Sequence, residues 1–258
     1  MSNPNLVGGV GSPQSIYESS TVRHHGLGTL GFLDERAFRY ASSSSAAVLT
    51  AGQLVRQAAE VGNHISVAWA SGGTAGSNKV TVTLGATAAS ANQYADGWLA
   101  AIDGTGSNQL RRIRTHPAAA LSTTLELTLY DNLETSFAAA DEISLIVNTF
   151  SNLVVHNGAD TRAVGVPAFN VPIGSTTTQY FWVQTTGPAM MWGDASTFVQ
   201  GDIVVPADAT ADAGQVTIIA GTQVPLLNVI KRAHVGVVIS AGDASDLDYH
   251  LIWLTLEG

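Results

Sequence analysis

Gly26-Leu-Gly-Thr-Leu-Gly31 spells G-x-G-x-x-G, the spacing with which backbone amides and a helix N-terminus cradle a pyrophosphate. That chemistry needs a buried strand running into the glycines and a helix leaving them. Glu18 to His25 is no apolar strand, and Phe32 to Tyr40 is too aromatic and interrupted for a helix packed on glycine. No second β-α unit follows. The glycines therefore read as a join that needs backbone freedom, and no nucleotide cofactor is expected.

Metal chemistry finds as little support. The seven histidines are His24, His25, His64, His116, His156, His234 and His250. Zinc wants closely spaced ligands or a His-x3-His pair on a helix, and adjacent His24 and His25 point opposite ways on an extended chain. Gly242-Asp-Ala-Ser-Asp-Leu-Asp248 brings carboxylates together, yet the Asp-x-Asp-x-Asp-Gly spacing with a distal Glu is missing. It reads as an exposed hairpin loop, and no metal is expected.

Nucleophilic catalysis lacks its parts. There is no G-x-S-x-G elbow and no cysteine, and Ser42 to Ser45 is a loop. A carboxylate pair for glycoside hydrolysis is set by space and not by sequence spacing, and nothing here favours one. The five tryptophans, Trp69, Trp98, Trp182, Trp192 and Trp253, could form a sugar platform, although in β domains tryptophan is more often core. A non-enzymatic protein is expected. The run Leu110-Arg-Arg-Ile-Arg-Thr-His116 is the one basic cluster. On a strand it puts Arg112 and Arg114 on one face with Leu110 and His116, and Arg111 and Ile113 on the other.

The elements that must position these residues are strands. Val80, Val82 and Leu84 alternate with Lys79, Thr81 and Thr83, and Leu125, Leu127 and Leu129 alternate with Thr124, Glu126 and Thr128. Further strands are expected at Phe38–Tyr40, Ile143–Val147, Tyr180–Val183, Val216–Ile219, Val235–Ile239 and Tyr249–Leu256. Turn signals separate them at Ser71-Gly-Gly73, Asp103-Gly104, Asn157-Gly158, Gly201-Asp202 and Gly242-Asp243. Helix is scarce, with only a turn or two expected around Gly52–Ala59 and Phe137–Ala140. Short strands with Gly and Asp turns predict an all-β fold of two β-sandwich or barrel-like units behind an extended N-terminal arm. The arm is residues 1–30, the first β domain 31–150 and the second 151–258. Phe38-Arg-Tyr40 followed by Gly52-Gln-Leu-Val55, and Tyr180-Phe-Trp182 followed by Gly201-Asp-Ile-Val-Val205, form an internal echo that duplication would explain.

Composition narrows the partners. Of 258 residues, 45% are hydrophobic and only 12% charged, which is no disordered composition. A weakly charged surface fits either cover by other protein or Thr-rich β faces. The net charge of −9 argues against nucleic acid. Lysine occurs only at Lys79 and Lys231, so positive charge is nearly all arginine, whose planar fork suits fixed pairing at interfaces. No signal peptide and no membrane span are expected. The candidate interaction residues are Leu6, Ile16, Tyr17 and Arg23 in the arm and Arg112 and Arg114 on the basic strand.

Three stretches resemble head decoration (cement) proteins of tailed bacteriophages. They are Gly28-Thr-Leu-Gly-Phe-Leu-Asp-Glu-Arg-Ala-Phe-Arg-Tyr-Ala41 with Leu49–Val55, then Tyr94-Ala-Asp-Gly-Trp-Leu-Ala-Ala-Ile-Asp-Gly-Thr-Gly-Ser-Asn-Gln-Leu-Arg-Arg-Ile-Arg114 with Leu125–Leu129, and Tyr180-Phe-Trp-Val-Gln-Thr-Thr-Gly-Pro-Ala189 with Gly201–Val205. The resemblance implies a β-rich homotrimer, made in the host bacterial cytoplasm and carried on the outer surface of the capsid. There it would bind the major capsid protein and clamp neighbouring subunits of the expanded head. The arm would cross onto an adjacent protomer or the shell. A tail- or fibre-associated protein that binds a receptor or glycan is the alternative, and a carbohydrate-active enzyme stands behind both.

Overall fold

The computed structural model describes residues 2–44, 48–139, 141–158, 162–173, 178–207, 212–219, 234–241 and 248–257. Almost all regular structure among them is strand, and the one short helix is a 3-10 turn at Gly62–His64. The strands are β1 (Asn5–Leu6), β2 (Leu30–Leu33), β3 (Arg36–Ser42), β4 (Val55–Arg56), β5 (Val67–Gly72), β6 (Lys79–Thr83), β7 (Trp98–Asp103), β8 (Gln109–Thr115) and β9 (Thr124–Leu129). They continue with β10 (Glu142–Ile146), β11 (Val154–Val155), β12 (Ala163–Pro167), β13 (Tyr180–Trp192), β14 (Ile203–Pro206), β15 (Val216–Ile218), β16 (Gly236–Ser240) and β17 (Tyr249–Thr255).

The chain divides into a unit built from residues 1–58 and 150–258 and a unit of residues 59–149. This differs from the division expected between 31–150 and 151–258. A boundary near 150 is common to both, but residues 31–58 belong with the C-terminal strands. The reason is pairing: β3 lies antiparallel to β13, with Tyr40 opposite Trp182 and Phe38 opposite Gln184. The aromatic segments of the internal echo are thus partners across one ladder.

Residues 59–149 form a closed antiparallel barrel in the order β10-β5-β6-β9-β8-β7. The alternations seen in sequence face each other across it, with Val80 opposite Leu127 and Val82 opposite Leu125, all fully buried. Leu99, Ile113, Ile143 and Leu145 complete the same interior. Closure leaves no strand edge exposed. Gly104, with φ +83°, turns the chain between β7 and β8, and a Cβ there would overlap the carboxylate of Asp141.

The other unit is a large antiparallel sheet ordered β1-β2-β3-β13-β17-β16-β14-β15, with β12 also on β13 and β4 beside β11 and β12. Strand β13 is buried on both faces. Phe181 and Val183 point into one cluster with Ala41, Val55 and Val164, while Trp182 joins Phe38 and Tyr40 in another. A second apolar layer is therefore required over Trp182, and the N-terminal segment supplies it through Ile16 and Leu27. Residues 2–30 are mostly irregular, as an arm would be, but they lie folded on their own unit. Gln14 fixes them there: its Nε2 donates to Tyr180 O at 2.8 Å, its Oε1 accepts from Tyr40 Oη at 2.8 Å, and its carbonyl accepts from Trp182 Nε1 at 3.2 Å. Gly31 allows this approach, since a Cβ there would sit 3.0 Å from Pro4 and 3.1 Å from Trp182. The G-x-G-x-x-G stretch thus leads into a strand and not a helix.

Candidate interaction surfaces

The outer face of the barrel gathers side chains that a folded monomer normally avoids showing together. Alternation along β7 sends Leu99 and Ala101 inward and leaves Trp98 and Ile102 outside, 39% and 49% exposed. Register places Trp98 between Ile146 of β10 and Arg112 of β8, and Ala100 between Ser144 and Leu110. Leu110 is 54% exposed and Tyr130, just past β9, is 51% exposed. Trp, Tyr, Leu and Arg thus share neighbouring rows of one sheet face, the composition of an interface core and not of a solvated surface.

Arg112 is held ready in that face. Its Nη2 pairs with Asp96 Oδ1 at 3.3 Å and its guanidinium lies 5.5 Å from the centre of the Tyr130 ring. Tyr130 Oη donates to the same Asp96 oxygen at 3.0 Å, and Asn148 Nδ2 donates to Asp96 O at 2.9 Å. Asp96 has a left-handed backbone, φ 61°, which turns its buried carboxylate under the arginine. Arg114 lies exposed two residues on, its guanidinium making no hydrogen bond or ion pair among the described residues. The expected face of Leu110, Arg112 and Arg114 is present, but His116 leaves it. A bulge between Ile113 and Thr115 breaks the alternation and turns His116 inward, 3% exposed.

The other candidate residues separate. Ile16 is fully buried with Phe38, Tyr40 and Trp182, and Leu6 packs on the same cluster. These two are core of their own unit, because the underside of Trp182 needs apolar cover. Arg23 is exposed and donates from Nε to His25 O at 2.8 Å. Tyr17 is 50% exposed at the edge of a pocket lined also by Arg36, Gln184 and Tyr249. Of the five tryptophans, a residue type more often core in β domains, Trp98 and Trp253 are both 39% exposed. An alternation count that puts Leu99 and Leu254 inward would have found them.

In the barrel, Asp141, Tyr94, His64 and His116 are tied into the fold. Burial raises the pKa of Asp141, but amide donation from Ala138 at 3.0 Å, Gly106 at 2.8 Å and Thr105 at 2.7 Å outweighs it and leaves the carboxyl below its usual value. Tyr94 is pushed up to about 12 by burial, and its hydroxyl meets His64 Nδ1. His116 accepts from the Tyr94 amide at Nε2, 2.9 Å, which assigns its proton to Nδ1 for donation to Pro117 O at 2.8 Å. Burial lowers the pKa of His116, the Pro117 carbonyl partly reverses this, and His64 lowers it further. Each ring nitrogen and carboxylate oxygen of this set has a structural partner. Among the described residues, no three His, Asp or Glu side chains gather to hold a metal ion; the Asp243–Asp246 loop lies outside them. No family model, curated protein or solved structure matches the chain.

Proposed function

We propose that this protein is a non-enzymatic structural protein of a phage virion. It binds the outer capsid surface as a homotrimer and clamps neighbouring subunits of the major capsid protein, stabilising the expanded head. The observation that carries this reading is the outward barrel face of Trp98, Leu110, Tyr130 and Arg112. A rigid closed barrel offering aromatic, aliphatic and guanidinium groups together is suited to a wide protein contact. Arg112 loses little freedom on docking, since Asp96 and Tyr130 already orient it, and Arg114 adds a cation for an acidic partner. The resemblance of the three stretches to decoration proteins supplies the identity of the partner.

Quantitative mass spectrometry of purified virions tests the reading. A copy number comparable with that of the major shell protein is expected. A handful of copies per particle would move the protein to a tail or fibre, and absence from particles would overturn the reading.

A further inference from the structure

A pocket of about 250 Å³ opens in the sheet unit, lined by Tyr17, Arg36, Gly52, Gln184, Met190 and Tyr249 among others. Its aromatic wall is fixed. Tyr249 stacks in parallel on Trp192 with ring centroids 6.2 Å apart and 9° between planes, and its hydroxyl donates to Ala51 O at 3.2 Å. Gly52, at φ +78°, admits the ring edge, since a Cβ there would come 2.5 Å from Tyr249 Cε1. Trp192 and Gly52 thereby hold a half-exposed tyrosine in one pose.

The polar groups are few and defined. Gln184 is 4% exposed and sits at the bulge where β13 slips against β3 between Gln184 and Thr186, a device that re-aims side chains. Its amide nitrogen donates to Thr186 O at 3.2 Å and Pro188 O at 2.8 Å. Both N–H groups are thereby used, and Oε1 is the acceptor Gln184 can offer to the pocket. Arg36 adds donors, with its charge already facing Asp34 at 3.4 Å. The Tyr17 hydroxyl makes no hydrogen bond among the described residues.

These groups select a ligand class. Among the described residues no carboxylate lines the pocket, so an amine or metal cation would find no counter-charge there. Arg36 already faces Asp34, and among the described residues no second cation lines the pocket, so a phosphate dianion is poorly served as well. What remains is aromatic and aliphatic wall with one acceptor and a few donors, complementary to a neutral ring that has a C–H face and hydroxyl edges. The volume lies below that of drug-sized clefts and suits one ring. We propose that this pocket binds a neutral pyranose at the end of a glycan chain. The inference does not rest on the virion reading, because copy number in particles is indifferent to it.

The test is titration of the full chain with the neutral methyl glycosides of glucose, galactose, mannose and N-acetylglucosamine, followed by tryptophan fluorescence and amide chemical shifts. At least one is expected to saturate with Kd on the order of millimolar, the range one small ring reaches. The shifts should centre on Gly52 and on the Gln184 side-chain amide. Tyr17→Ala, at an exposed position, should leave the circular dichroism spectrum unchanged and weaken binding about tenfold, and Tyr249→Ala should weaken it further. No saturable binding by any of the four, or unchanged affinity in a folded Tyr17→Ala variant, would overturn the proposal.

Discussion

The barrel and the sheet unit hide the same backbone groups by opposite means. The barrel, residues 59–149, closes on itself and draws every strand from one continuous stretch. Its ladders join β5 to β6, β7 to β8 and β8 to β9 as sequential neighbours. The sheet unit is assembled from both ends of the chain. Its central pairing, β3 with β13, joins segments separated in sequence by the whole barrel, and the end strands of its order among the described residues, β1 and β15, are two and three residues long. Short edges limit unwanted pairing, and a folded N-terminal segment buries the face of the sheet that carries Trp182. Loop-closure entropy then assigns fast, local folding to the barrel and slow, non-local folding to the sheet unit.

That contrast fails if the two units melt as one. The largest expected effect is Trp182→Ala, which removes the residue on which Ile16, Tyr40 and Gln14 converge. It should destabilise the sheet unit by about 4 kcal/mol and leave the barrel folded. Hydrogen exchange would show this as lost protection in β3 and β13 with β6 and β9 still protected. Simultaneous loss in both units would break the comparison. Asp141→Ala is the counterpart within the barrel. It strips the acceptor from three amides and should cost about 3 kcal/mol, read in calorimetry as a lower transition for the barrel with that of the sheet unit unchanged.

Strand positions in the barrel were legible because alternation reports burial directly. Val80, Val82, Leu125 and Leu127 each announced an inward side chain, and all four are. What alternation does not encode is the partner. Phe38-Arg-Tyr40 and Tyr180-Phe-Trp182 look alike in sequence, and nothing in that likeness says that they pair across one central ladder. The arm was misleading for a related reason. Gly, Ser and Asn dominate it, and the one glutamine that anchors it, Gln14, has no pattern around it. Of the candidate site, Arg112 and Arg114 were legible as a strand face. The bulge that buries His116 and the clamp on Tyr249 depend on backbone geometry that periodicity does not carry.

Acid separates the units more finely. Burial lowers the pKa of His116 in the barrel, and of His25 and His250 in the sheet unit. For each, the unfolded chain takes up the proton first. Stability is therefore full above the usual histidine value, about 6.5, and falls as pH drops below it. His116→Gln, with an oxygen that can still accept from the Tyr94 amide, should flatten this slope for the barrel transition alone. A slope unchanged in the variant would remove His116 as its source. Asp141 works in a lower window. Its stabilisation is present above the usual carboxylate value and is lost as pH falls through its own lowered one.

The smallest effect sharpens the meaning of the others. Lys79 and Glu126 form an exposed ion pair at 2.9 Å across β6 and β9. Lys79→Ala should change the barrel by less than about 0.5 kcal/mol, within the scatter of a thermal melt. A larger loss would mean that the barrel responds to its surface charges and not chiefly to its interior.

The barrel is an insertion, and insertion decides how the chain bears load. Residues 2 and 257 both belong to the sheet unit, so tension applied through them pulls first on its ladders. While those hold, residues 59–149 carry no strain from the pull. In a stretching trace of a single molecule, the sheet unit should yield first and the barrel should lengthen only afterwards, as a second and separate step.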